Sequence, residues 1–234
     1  MRTIRFEIEG VLNSFRVPFF KNYHKSFLAP PKTTVIGMLC NISLKSQKEF
    51  YEILNSNLIE VSVVIEEIKG RAKDLWSYKI FEKKNRGKSI VRRDKLFTPK
   101  YSIYLKIQDT KLFDEIFENL KNPKNIPSLG LDDEIVVIKN VEVVDLIENG
   151  SKRVDSVFLN DTKEYKVFIK DTSKAVELPT SYLTPIKFEA FKNNKRVAKT
   201  KVKELFQVEA INCEIEIECE SFLDKKYNKR IVFY

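Results

Sequence analysis

The chain has 234 residues, 43% of them hydrophobic, with 42 Lys+Arg against 33 Asp+Glu and a formal net charge of +9. With 17 Phe and 9 Tyr it holds enough apolar material for one large or two small domains, which excludes a disordered chain and leaves a basic overall balance. No apolar run approaches the roughly 20 residues that span a bilayer, and Arg2, Arg5 and Glu7 interrupt the apolar segment a secretory signal needs, so no membrane contact and no export are expected.

Residues 2–9 alternate Ile4, Phe6 and Ile8 with Arg5, Glu7 and Glu9, the period of a half-buried strand closed by Gly10. A polar and aromatic loop follows as far as Pro30-Pro31. From Thr33 to Ile42, Val35, Ile36, Leu39 and Ile42 stand at helical spacing, and Ser46 is a candidate cap for a second helix carrying Phe50, Ile53 and Leu54. Leu58–Ile68 is β-branched and alternating, a strand. Beyond the basic stretch 69–100, where Asn85-Arg86-Gly87 suits a turn, Tyr101–Ile107 reads as a strand, Leu112–Leu120 as a helix and Ile135–Val144 as a strand. The order is strand, helix, strand, insertion, strand, helix, strand, which is the α+β, ferredoxin-like pattern that RNA-recognition modules also use. Gly150 marks the expected boundary between a domain of residues 1–149 and a β-rich region of residues 150–234. In the latter, Val154–Leu159, Tyr165–Ile169, Ile186–Phe191 and Ile211–Cys219 read as strands. The last places Ile211, Cys213, Ile215, Ile217 and Cys219 on one face, so its cysteines are expected in the core. Glu214, Glu216, Glu218 and Glu220 share the other, as a solvated stripe or one resting on basic neighbours. Gly37 is read as allowing close helix packing and Gly130 as a turn residue.

Charge is distributed unevenly. Residues 69–100 carry twelve Lys/Arg and three acids, a balance of +9 that equals the excess of the whole chain. Arg71, Lys73, Lys83, Lys84, Arg86, Lys88, Arg92, Arg93 and Lys95 are interleaved there with Trp76, Tyr78, Phe81 and Phe97. Cations neutralise phosphates and aromatic faces stack on unpaired bases, so the stretch suits contact with RNA or DNA; the alternative is a solvated hairpin whose lysines only keep it soluble. Two smaller acid-free clusters are Arg16, Lys21, Lys25 and Lys32 near the start, and Lys192, Lys195, Arg196, Lys199, Lys201 and Lys203 near the end.

Chemistry with a recognisable motif is absent. The six glycines stand apart and form no GxGxxG or Walker loop, so no nucleotide cofactor is expected, and neither GxSxG nor HExxH occurs. Three cysteines without a CxxC pair, together with a single histidine, give too few soft donors for a zinc site, and a reduced, cytoplasmic protein without metal is expected. His24, flanked by Tyr23 and Lys25, is the one acid–base group of near-neutral pKa. Such a cluster suits metal-free RNA cleavage in principle, but successive side chains of an extended loop point apart. Phosphate contact or exposure to solvent is the alternative. At Lys32, Thr33 and Thr34, a lysine, two hydroxyls and the N–H groups of a helix start come together, which makes either a phosphate seat or simply the beginning of a helix.

Phe15-Arg16-Val17-Pro18 through Lys25-Ser26-Phe27, followed by Pro30-Pro31-Lys32-Thr33-Thr34-Val35-Ile36-Gly37-Met38-Leu39, resembles the N-terminal signature of the Cas-five family, the CRISPR-associated RAMP subunits of type I Cascade complexes. Tyr101-Ser102-Ile103-Tyr104-Leu105-Lys106-Ile107 and Pro127-Ser128-Leu129-Gly130-Leu131-Asp132-Asp133 are similar to its second half-repeat. The resemblance implies a ferredoxin-like RAMP domain with a thumb hairpin, here residues 69–100. It further implies a non-catalytic, RNA-binding subunit that holds the 5′ handle of the CRISPR RNA and caps the backbone filament in antiviral defence. The backbone RAMP subunit and the large subunit would be its protein partners, with target DNA met indirectly. A minority of the family cleave the precursor RNA themselves, which makes a metal-independent endoribonuclease the alternative; an RNA-recognition protein outside CRISPR is a third reading. On this reading the RNA contacts are Arg16, Lys21, Tyr23, His24, Lys25, Lys32, Thr33, Thr34, Arg71, Lys83, Lys84, Arg86, Lys88, Arg92, Arg93 and Lys95.

Overall fold

The computed structural model describes residues 1–20, 22–81, 86–160, 164–192 and 195–234, with side chains at all of these except 80, 81, 86, 189–192 and 195–203. Strand β1 (Arg2–Gly10) buries Ile4, Phe6 and Ile8 completely. The short strands β2 (Leu12–Asn13) and β3 (Tyr23–His24) interrupt the loop that leads to α1 (Lys32–Ile42). Ser46 caps α2 (Gln47–Asn55) as expected: its hydroxyl accepts from the Glu49 N–H, and the Glu49 carboxylate accepts from the Ser46 N–H in return. Next come β4 (Ile59–Glu67), the paired strands β5 (Gly70–Phe81) and β6 (Arg86–Phe97), and β7 (Lys100–Ile107). Helix α3 (Thr110–Lys121) is capped by Asp109 and leads to β8 (Val136–Asp145). The elements expected over residues 2–144 therefore all form, each within two residues of its anticipated ends. Arg86 and Gly87, expected in a turn, instead lie in β6 opposite Phe81 and Ile80, while Asn85 falls outside the described residues.

Strands β4, β7, β1 and β8 form one antiparallel sheet in that order. The three helices cover one face, where the main core gathers Phe6, Ile36, Leu39, Leu54, Leu105, Ile116 and their neighbours. The opposite face is covered too. Arg5 is buried there with its guanidinium 3.4 Å from the Tyr227 ring centroid, donating to Glu7 (2.7 Å) and Ser102 (3.2 Å), while Tyr104 and Val64 pack against Ile231 and Phe222.

Among the described residues the remaining elements are all strands: β9 (Ile147–Glu148), β10 (Arg153–Val154), β11 (Phe158–Asn160), β12 (Lys166–Ile169), β13 (Glu177–Lys192), β14 (Lys195–Ile211), β15 (Cys213–Glu216), β16 (Phe222–Asp224) and β17 (Lys229–Ile231). The strand expected over Val154–Leu159 is split. Asp155 turns its carboxylate to the Arg230 N–H (2.9 Å), and the Val157 N–H crosses to the Val63 carbonyl (2.9 Å). The strand expected over Ile211–Cys219 is broken at Asn212, which adopts φ 58°. Cys213, Ile215 and Ile217 are buried as anticipated, but Cys219 is exposed because the chain has left the strand after Glu216. The glutamate stripe rests on cations: Glu214 on Arg230 and Arg153, Glu216 on Lys166, Glu218 on Lys152. Ile186–Phe191 forms part of the longer strand β13, whose hairpin with β14 carries the second basic cluster on residues whose side chains lie outside the described set.

This C-terminal region packs tightly on the first sheet. Phe188 and Val157 enter the main core, and Tyr234 extends the β4 edge through a reciprocal pair of backbone bonds with Val61 (3.0 and 3.1 Å). No helix among the described residues is long and apolar enough to cross a membrane.

Candidate nucleic-acid interface

The loop after β1 folds back on itself because Phe15, Val17 and Phe27 are drawn into the core. Backbone bonds from Val17 N–H to the Lys25 carbonyl and from Phe27 N–H to the Phe15 carbonyl, both 2.8 Å, fix that return. Strand β3 then lies parallel to β6, setting Tyr23 opposite Arg92 and His24 opposite Arg93. Arg92 thereby stands 5.6 Å from the Tyr23 centroid; nearby, Arg93 stands 4.9 Å from that of Trp76 in β5, and Lys25 4.7 Å from that of Tyr182 in β13. Arg93 is oriented by Asp74, to which its Nε donates at 3.1 Å.

Between this wall and the Gly130–Asp133 turn lies a cavity of about 660 Å³ lined by Arg16, His24, Lys25, Thr34, Trp76, Arg93 and Asp94 on the near side. A second cavity of about 360 Å³ runs over α1 past Thr33, Gly37 and Asn41. The two share Thr34, Gly130 and Asp132 and so form one groove. Its floor is held by Glu134, a buried carboxylate that accepts from the Ser14 N–H (2.7 Å) and the Leu131 N–H (3.1 Å) and pairs with Lys95. Gly130 is the turn residue expected: at φ 114° a Cβ there would sit 2.5 Å from the Ser14 carbonyl oxygen.

Burial, with Arg16 and Arg93 close by, pushes the His24 pKa below its ordinary 6.5, so the ring is neutral at pH 7. A hydrogen bond to Tyr182 raises that of Lys25. No side chain caps the N-terminus of α1, and no acid stands in its first turn, so the Thr33 and Thr34 end carries uncompensated positive dipole.

Of the residues expected to contact RNA, Arg16, His24, Lys25, Thr34 and Arg93 line the larger cavity and Thr33 the smaller. Tyr23 and Arg92 stack beside it; Lys88 is exposed further along β6; Arg71 is paired with Glu177. Two are corrected. Lys32 is buried, its amine donating to the Asn57 side chain at 2.5 Å, and burial pulls its pKa down to about 8. Lys95 is buried against Glu134. Neither is open to a ligand: the first helical turn points Lys32 inward, and Lys95 sits on the inner face at the foot of the hairpin. Lys21, Lys83 and Lys84 lie outside the described residues, as does the side chain of Arg86. Asp94, Asp132, Asp133 and Tyr182 were not anticipated; a Leu-Gly turn followed by two acids is the sequence signal for the middle pair. Gly37 meets nothing closer than Phe50 at 4.0 Å, so helix packing does not require it; it opens the smaller cavity. Among the described residues no group of three or more His, Cys, Asp or Glu is placed to hold a metal ion.

Residues 3–174 match the Cas5d family model, described as "CRISPR-associated protein (Cas_Cas5)". Two solved structures share the fold over nearly the whole chain. One, described as "CRISPR RNA-guided surveillance complex", aligns at TM-score 0.55 and 10% identity over 92% of this chain and 91% of its own. The other, a CRISPR protein from Archaeoglobus fulgidus, aligns at TM-score 0.53 and 14% identity over 99% of this chain and 98% of its own. No curated protein sequence matches. With nearly three quarters of its length inside the family model, the chain belongs to the CRISPR-associated Cas5 family.

Proposed function

We propose that the chain is a non-catalytic RNA-binding subunit of a CRISPR RNA-guided complex, in which the groove between β6 and the Gly130–Asp133 turn holds the 5′ handle of the CRISPR RNA. On this reading β1, β4, β7 and β8 with their helices are the ferredoxin-like RAMP domain, β5 and β6 are its thumb, and the subunit caps the filament of a backbone partner beside the large subunit. The observation that carries it is an open groove lined by Arg16, Lys25, Arg93 and Trp76, with the Arg92–Tyr23 and Lys25–Tyr182 pairs beside it, the combination of cations and rings that single-stranded nucleic acid needs for its phosphates and bases. The sheet face that an RNA-recognition module would offer is covered by Phe222, Tyr227 and Ile231, which argues against an isolated module of that kind.

The test is the double variant Arg16→Glu and Arg92→Glu. Single-stranded RNA should bind it weakly, and the slope of log K against log salt should fall by about 0.7 for each phosphate that is no longer neutralised. Unchanged affinity and slope would remove the groove from RNA binding. A neutral His24 beside Arg16 and Lys25 favours a second reading, metal-independent cleavage of precursor RNA. Repeat RNA incubated with the protein in EDTA separates the two. Scission at a single phosphate, abolished in His24→Ala, would establish the nuclease.

A further inference from the structure

The groove has two unlike walls. On one wall the three cations Arg16, Lys25 and Arg93 outnumber one acid, Asp94, whereas the turn opposite presents Asp132 and Asp133 into the same cavity with no cation. Phosphates need only the first wall and are repelled by the second, so backbone contact leaves the aspartates unexplained. Both are exposed, and neither has an ion pair with a described residue. They are nonetheless held in place. The Glu134 N–H closes the turn onto the Leu131 carbonyl (3.0 Å), the Leu131 N–H donates to the buried Glu134 carboxylate, and Gly130 admits no side chain.

A ligand that satisfies this wall must bring hydrogen-bond donors, and a ligand on the Trp76 side must bring a flat face. Trp76 is 48% exposed at the cavity, with Arg93 already stacked on its ring. A cavity of about 660 Å³ lies in the range that encloses a small ligand, and an unpaired base brings both properties. The four bases differ at the edge that would meet a carboxylate. Guanine offers two adjacent donors, N1–H and the N2 amine, which match two carboxylate oxygens as a fork. Adenine and cytosine offer one amine beside a lone pair that repels the second oxygen; uracil offers one N–H between two carbonyls.

We infer that the groove reads one unstacked guanine of the bound RNA, with Asp132, the aspartate at the junction of the two cavities, accepting from its Watson–Crick edge. This inference rests on the RNA-binding reading above. Its experiment measures fluorescence anisotropy of the full chain with oligouridine carrying one central guanosine, inosine or adenosine, against wild type, Asp132→Asn and Arg16→Glu. Inosine keeps N1–H and lacks only the N2 amine. Wild type should bind the guanosine RNA about 10-fold tighter than the inosine RNA, a difference of about 1.4 kcal/mol. Asp132→Asn should lose that preference and bind the guanosine and inosine RNAs alike, whatever its affinity for plain oligouridine. Equal binding of all three RNAs by wild type overturns the inference and leaves the aspartates to a cationic protein partner. An Asp132→Asn variant that keeps the wild-type preference for guanosine over inosine overturns it as well, because the carboxylate would then take no part in reading the base. Failure of the RNA-binding reading looks different: no RNA binds, or Arg16→Glu binds like wild type.

Discussion

Glu209 is a buried carboxylate in β14 that accepts from the Leu28 N–H (2.8 Å) and the Ala29 N–H (3.2 Å), just ahead of the Pro30-Pro31 break that starts α1. It ties the C-terminal hairpin to the loop that carries the groove. Burial raises its pKa from 4.5 to about 7. A raised carboxylate means that the folded state binds the extra proton, so this contribution is fully present below about pH 4.5 and is lost as pH rises through 7. A shift of that size corresponds to on the order of 3 kcal/mol. His24 acts with the opposite sign, since its depressed pKa makes stability grow as pH rises through that region. The comparison that isolates Glu209 is therefore wild type against Glu209→Gln in thermal melts from pH 5 to pH 8. Wild type should lose stability relative to the variant across that range; parallel curves would refute the assignment. Glu134 tests the other fixed point of the groove. Glu134→Ala leaves the Lys95 ammonium buried without its partner and frees the Ser14 and Leu131 N–H groups, for an expected loss of about 3–5 kcal/mol in urea unfolding.

At the scale of elements, what periodicity and caps encode was legible and what long-range pairing decides was not. Ile4, Phe6 and Ile8 announce β1, and Ser46 with Glu49 announces α2, because each signal lies within a few residues of the structure it specifies. Strand β13 gives such a signal only over Ile186–Phe191. Pro179 and Pro185 interrupt its pattern, and they are tolerated because β13 pairs only with β14 in its sheet and forms that sheet's edge. Asn212 ends β14 through a left-handed backbone that alternation does not reveal. Helix α1 supplies a prediction of its own. Gly37 weakens the middle of an 11-residue helix, and an added methyl group would meet Phe50 only at ordinary contact distance. Gly37→Ala should therefore stabilise the fold by about 0.5–1 kcal/mol, read as a higher melting temperature. A destabilised variant would mean that the helix does pack closely at this point.

For the whole molecule, the groove joins segments far apart in the chain: residues 14–16 with His24 and Lys25, the α1 start, the β5–β6 hairpin and the turn at 130–133. Counting charge located the hairpin, but only the fold shows that Lys95 and Lys32 face inward while Arg16 and Arg93 face the groove. The same geometry divides the hairpin. Its foot is anchored, with Val91, Lys95 and Leu96 buried and β6 paired to β2 and β3 as well as β5. Further out, the described residues of β5 and β6 pair only with each other; Tyr78 is 41% and Ile90 66% exposed, and Lys79 and Lys88 add like charge. A two-stranded ribbon without a packed face is marginal in water. Amide hydrogen exchange should therefore be graded along the hairpin. Residues 91–97 should be protected in the free protein, whereas residues 77–79 and 87–90 should exchange rapidly and slow strongly when RNA neutralises their charge. Strong protection of residues 87–90 in the free chain would show that the outer hairpin is stable by itself, and would leave RNA no part in ordering it.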